Sequence, residues 1–134
     1  MIVEVIISEL DFYLIEKVRE LRIKANISQV KLAHKIGVSE GFIGNVENPK
    51  QNQKYNIRML NRIANALELK SYSDLFPEKV ISNDVVKIKI ELFDASSKNQ
   101  ESRFKSIKIS PCTESEIEDY NKKQDRTKSS KNSK

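Results

Sequence analysis

Four cations, Lys50, Lys54, Arg58 and Arg62, lie between Glu47 and Glu68 with no acidic residue among them. A run of one sign can neutralise phosphate oxygens, so this stretch is suited to meeting nucleic acid. The plainer reading is a solvated loop and helix face. Catalytic chemistry finds little material. His34 is the only histidine and Cys112 the only cysteine. No Ser/His/Asp set, no metal-ligand cluster and no phosphate-cradling Gly-rich loop occurs. His34 reads as a solvated residue on the exposed side of a helix, and Cys112 as incidental. No cofactor is expected, and an enzyme is the least supported class.

The chain of 134 residues is sized for one compact domain plus appendages. Its net charge of +5 is spread thinly. Residues 1–77 hold 11 Lys/Arg against 9 Asp/Glu, and residues 78–134 hold 13 against 10. A basic total is therefore weak support for a nucleic-acid partner, and local placement says more. No run of 18 apolar residues suggests a membrane span. Glu4, Glu9 and Asp11 interrupt the apolar start, which also lacks a basic leader, so no signal peptide is read. A lone cysteine fits a reducing compartment, and a cytoplasmic location is expected.

Several elements must position these residues. Residues 2–7, IVEVII, are β-branched enough for a strand, or form an apolar arm. Leu10, Leu14, Val18, Leu21 and Ala25 recur at helical spacing, which predicts a helix from about Glu9 to Lys24 with Arg22 on its polar face. Ser28 is a good N-cap, and Val30, Leu32, Ala33 and Ile36 follow at near-helical spacing. Gly37 supplies a stop, and Ser39 a cap for a second short helix with Ile43 and Val46 inward. Two helices joined by a short Gly-containing turn make a helix-turn-helix unit. Pro49 ends the second helix. Asn56 caps a further helix of about Ile57–Leu67 whose stripe is Ile57, Leu60, Ile63, Ala64 and Leu67. Leu75 and Phe76 are expected to close the core before Pro77.

Beyond Pro77 the period changes. Val86, Ile88, Ile90 and Leu92 alternate with charged residues, which is strand periodicity, and residues 103–109 suggest a partner strand. The connecting loop 95–100 has no Asn-Gly or Asp-Gly turn signal. A lone hairpin is marginal in water, so it must pack on the N-terminal strand, on helices or on a second subunit. From Thr113 the chain is polar and reads as a disordered tail. The expected organisation is an all-α five-helix helix-turn-helix domain over 8–77, a small C-terminal β (hairpin-like) extension over 78–112, and a disordered basic tail over 113–134.

The stretch from Ser28 to Glu47, SQVKLAHKIGVSEGFIGNVE, resembles the lambda-repressor/Cro-like (XRE-type) helix-turn-helix family. Ser28, Gln29, Leu32, Ala33, Gly37, Val38, Ser39, Ile43 and Glu47 carry the likeness, which extends over about Leu14 to Phe76. It implies a DNA-binding domain whose second motif helix enters the major groove. On its exposed side that helix would offer Ser39, Glu40, Gly41, Gly44 and Asn45. Glu40 can accept from a cytosine amino group, and Asn45 can bond adenine bidentately. Gln29 resembles the family residue that bonds a phosphate and braces the second helix. Glu47 suits fold support better than DNA contact. Lys50, Lys54 and Arg58 are phosphate candidates, and Tyr55 either bonds a phosphate or packs.

The glycines admit two readings. They let the backbone approach DNA closely, with thymine methyls or shape read by Phe42, or they signal weak base readout. The resemblance implies a sequence-specific transcriptional regulator acting on double-stranded DNA. A homodimer is expected because one module makes few base contacts, and 84–110 is the candidate dimerisation segment. One alternative is an antitoxin-type protein whose C-terminal segment binds a protein partner. Another is an interaction module without DNA affinity.

Overall fold

The computed structural model describes residues 1–93 and 104–132, with side chains up to residue 124. The 95–100 loop expectation lies outside the described residues. The chain forms two compact units, residues 9–82 and residues 1–8 together with 83–134.

The first unit is helical. Helix α1 spans Glu9–Lys24, with Glu9 and Asp11 in its first turn and Arg22 and Lys24 in its last, matching the helix dipole. Asn26 ends it in the left-handed region at φ 58°, which a short polar side chain tolerates. Helix α2 spans Gln29–Ile36 and starts where Ser28 Oγ accepts from the Lys31 N–H at 3.0 Å. It stops at Gly37, whose φ of 76° a side chain would resist. Helix α3 spans only Phe42–Glu47. Helix α4 spans Ile57–Ala66, with Asn56 Oδ1 accepting from the Met59 N–H at 2.8 Å. A single 3-10 turn, Tyr72–Asp74, follows under a Ser71–Asp74 capping box.

Val18, Leu32, Ala33, Ile43, Ile63 and Leu75 are fully buried and make the core of this unit. Three sequence expectations are corrected here. The buried side of α1 is Leu14, Ile15, Val18 and Arg22, whereas Leu10 is exposed. Ile57 is 87% exposed, because it sits in the first turn of α4 ahead of the Leu60–Ile63–Ala64 face. Phe76 is exposed, and Leu75 alone closes the core at that end.

The second unit contains an antiparallel sheet of three strands in the order β1-β2-β3, so the protein is not all-α. Strand β1 is Ile2–Ser8, β2 is Val85–Leu92 and β3 is Phe104–Pro111. The N-terminal segment is a strand, and it supplies the third member that a marginal hairpin requires. Register places Val5 opposite Ile88 and Ile88 opposite Ile109, with Val3, Ile90 and Ile107 in the next row. These residues share one apolar face, and Ile88 and Ile90 are fully buried. A bulge at Glu91/Leu92 interrupts the β2–β3 ladder.

Where composition suggests a disordered tail, residues Glu114–Asn132 form helix α5. Its start has a local cause. Thr113 Oγ1 accepts from the Glu116 N–H at 3.2 Å, and Glu116 Oε1 accepts from the Thr113 N–H at 3.0 Å. That is a reciprocal capping box, T-x-x-E, which a composition argument does not register. Glu116 Oε2 also meets Lys87 Nζ on β2 at 2.6 Å.

The Lys87 hydrogen bond, followed by the Thr113 N–H, holds the Glu116 carboxyl below its ordinary value of 4.5, and the same bond holds the Lys87 ammonium above 10.5. A depressed carboxylate stabilises the folded form above its unfolded pKa and loses that contribution as pH falls through the folded value. A raised ammonium contributes below its unfolded pKa and loses that contribution as pH rises. The tether of α5 to the sheet should therefore be strongest between about 4.5 and 10.5. Amide protection factors at Glu116 and Ile117 are expected to fall relative to those of β2 as pH drops below the ordinary carboxylate value of 4.5, and Lys87→Met should reduce that differential, leaving the part that the Thr113 N–H supports.

Candidate nucleic-acid interface

The short helix α3 is held by a buried charge. Glu47, at its last turn, is 1% exposed, yet it carries a carboxylate. Burying an unpaired carboxylate is prohibitive, so partners must meet it. Arg22 of α1 does so in a fork, with Nε donating to Oε2 and Nη2 to Oε1, both at 2.9 Å. Arg22 Nη1 also donates to the Ile27 carbonyl at 2.9 Å, which ties the α1–α2 connection to the same guanidinium. Gln29 Nε2 donates to Glu47 Oε1 at 3.0 Å, and Arg19 Nε lies 3.7 Å from that oxygen. One carboxylate thus joins α1, α2 and α3.

A second tie holds the other end of α2. Arg62 Nη1 of α4 donates to the Ile36 carbonyl at 2.9 Å, an orphan acceptor at a helix C-terminus. Arg62, one of the four cations of the basic run, is thereby partly buried scaffold.

Helix α3 begins later than the sequence suggests. Ser39 does not cap it by side chain. Its carbonyl accepts from the Phe42 N–H at 3.0 Å, residues 40 and 41 form a turn, and Gly41 stands at the cap position with no side-chain bond. Ser39, Glu40, Gly41 and Asn45 are all exposed. Phe42 is half-buried, with its ring 6.3 Å from the Tyr55 ring and tilted by 57°. Tyr55 is buried at 7% exposure, so it packs.

The two glycines of this surface differ. A Cβ on Gly44 would stand 3.1 Å from Gln29 Oε1, so Gly44 gives α2 its close approach to α3. Gly44 is half-buried and lies beside Gln29, away from the open readout surface expected for it. A Cβ on Gly41 would meet nothing within 4 Å, and its φ of −83° suits any residue. The fold does not require a glycine there.

His34 is not simply solvated. Its Nε2 lies 3.1 Å from Glu40 Oε1, across the turn from α2 to α3. Lys50 and Arg58 are exposed. Lys54 is half-buried with Nζ 4.0 Å from Asp11 Oδ2, so its charge is partly answered within the unit. Asn48 Oδ1 accepts from the Lys50 N–H at 3.0 Å and shapes the turn after α3. Ser39, Glu40 and Gly41 therefore lie in the α2–α3 turn, Phe42 and Asn45 lie in α3, and Gln29, at the start of α2, lies against the far end of α3, while Lys50, Lys54 and Arg58 follow in the chain. Among the described residues, no group of three or more His, Cys, Asp or Glu could hold a metal ion, and no helix is long and apolar enough to cross a membrane.

Sequence reasoning missed Arg22 as a buried anchor. The signal was present: Arg22 falls four residues after Val18, on the buried side of α1, and Glu47 sits beside apolar Val46 with no nearby cation in its own helix.

A helix-turn-helix family model matches residues 18–75. No curated protein matches the chain. Among solved structures, the crystal structure of the restriction-modification controller protein C.AhdI from Aeromonas hydrophila is similar, at 28% identity. The match covers 48% of this chain and 92% of that one, with a TM-score of 0.41.

Removing one partner of a buried ion pair strands the other, at about 3–5 kcal/mol. Arg22→Met should lower unfolding free energy by roughly that amount in a urea titration. The double variant Arg22→Met/Glu47→Leu should recover most of the loss, since neither charge then remains buried alone.

Proposed function

We propose that residues 18–75, which a helix-turn-helix family model matches, form an XRE-type DNA-binding domain, and that this protein is a sequence-specific transcriptional regulator that lays α3 in the major groove of double-stranded DNA. The observation that carries the reading is the α2–α3 corner. Glu40 and Gly41 are exposed in the turn before α3 and Asn45 is exposed within α3, while Glu47, at the end of the same helix, is locked by Arg22 and Gln29. Rigid support of that kind is what base readout needs, because a bond to a base edge tolerates little misplacement.

In this reading Asn45 bonds adenine and Glu40 accepts from cytosine N4. Gln29 braces α3 through Glu47, since its amide nitrogen already donates there. Lys50 and Arg58 meet phosphates, and Lys54 joins them by exchanging Asp11 for a phosphate oxygen. The reading assigns the small size of Gly41 to the approach of DNA, because nothing within the chain crowds that position. It also makes the protein a homodimer through the sheet of the second unit. Ile107 and Ile109 of the edge strand β3 stay 44% and 49% exposed on the apolar face of that sheet. A second copy would cover them and pair two half-sites.

The test is titration of random and selected duplexes by fluorescence anisotropy at several salt concentrations. Asn45→Ala should erase preference at one base pair, about 1–3 kcal/mol. Arg58→Ala should weaken all duplexes alike and reduce the salt slope by about one. Gly41→Ala should leave thermal stability unchanged or slightly raised, while it lowers affinity for the selected site. Equal binding of all sequences by the unmodified protein would reject the reading.

A further inference from the structure

The structure assigns His34 a role at the readout surface: we infer that it is a positioning residue that fixes the Glu40 carboxylate for base recognition. This rests on the reading of α3 as a major-groove helix. His34 lies in the last turn of α2 and Glu40 in the turn before α3, six residues apart. Their side chains meet at 3.1 Å, from His34 Nε2 to Glu40 Oε1. Both are well exposed, at 60% and 71%, so burial does not force the contact. The turn geometry brings it about. Val38 N–H returns to the Ala33 carbonyl at 3.0 Å and Phe42 N–H to the Ser39 carbonyl at 3.0 Å, and these two bonds fold residues 37–41 back over the end of α2.

The chemistry follows from which atoms remain. A carboxylate has two oxygens that accept hydrogen bonds. With Nε2 donating to Oε1, Oε2 keeps its accepting capacity and is held in one orientation. A cytosine N4 amino group is a donor that an oriented carboxylate can read. A carboxylate without that support would be poorly placed near DNA, since it is repelled by phosphates and free to turn toward solvent. The imidazole N–H restrains its rotamers and draws off part of its charge. Gly41, next to Glu40, adds no side chain that could restrain the carboxylate in place of His34. The occupant of this site is a cytosine edge in the major groove, and His34 selects it through Glu40 without touching it.

The experiment is competition binding of the full chain to its selected duplex and to every single-base-pair variant of one half-site. The proteins are the unmodified chain, Glu40→Ala, His34→Ala, His34→Gln and the double variant His34→Ala/Glu40→Ala. Glu40→Ala should remove a cytosine preference at one position. His34→Ala should reduce preference at that same position by at least threefold and leave the other positions intact. His34→Gln, whose amide can donate to the carboxylate, should restore most of it. His34→Ala should add nothing once Glu40 is gone. The inference is overturned if His34→Ala leaves that position unchanged, if it weakens every duplex equally as a phosphate contact would, or if Glu40→Ala alters no position. If the unmodified chain discriminates no sequence, the reading of α3 fails and this inference fails with it. Retained discrimination with an inert His34 rejects the inference alone.

Discussion

Glu47 is a carboxylate in the core, and the helical unit is arranged around the need to answer it. Its desolvation would cost several kcal/mol if uncompensated. The guanidinium of Arg22 compensates with two parallel bonds, and the third donor is the Gln29 amide. A well-packed apolar pair would hold three helices together at least as well. The ion pair adds directionality, because a fork on a carboxylate accepts one relative placement of α1 and α3, and the Gln29 bond sets α2 against the same oxygens. The buried charges therefore define geometry more than they add stability.

That geometry matters because α3 cannot supply its own. It has six residues, one internal glycine and no side-chain cap. An isolated helix of that length would not form in water. Gly44 adds a further propensity cost of about 0.5–1 kcal/mol, and the structure returns a close approach of Gln29 to the helix. The second glycine, Gly41, has no such internal return. A surface of Glu40, Gly41 and Asn45 is thin in side chains, and its precision comes from the elements behind it. The His34–Glu40 contact is consistent with that: the turn, more than the helix, orders the outer edge of the surface.

Much of the helical unit was legible because its signals are local. Ser28, Gly37 and Asn56 act where a single residue type has a backbone job, and each stands at the cap its type suggests. Ser39 looked equivalent, but the chain spends residues 40 and 41 on a turn, so only its carbonyl is used. Charge suggests solvent for Arg22, although its phase along α1 follows the buried Val18. Apolar type suggests burial for Ile57 and Phe76, although Ile57 opens the first turn of α4 and Phe76 follows the 3-10 turn, where both are exposed. The third strand was one of several ways for a hairpin to be covered, and sequence alone could not choose among them. Helix α5 was lost to composition, since its start depends on a two-residue reciprocal cap between Thr113 and Glu116.

The central claim is that the Arg22–Glu47–Gln29 network makes α3 part of the scaffold, so that the helix does not open by itself. Native-state hydrogen exchange measures this directly, because local and global openings have separate free energies. The amides of Val46 and Glu47 should exchange with the same free energy and the same denaturant dependence as Val18 in α1. Exchange at Val46 and Glu47 through a low-energy opening insensitive to denaturant, while Val18 remains protected, would contradict the account.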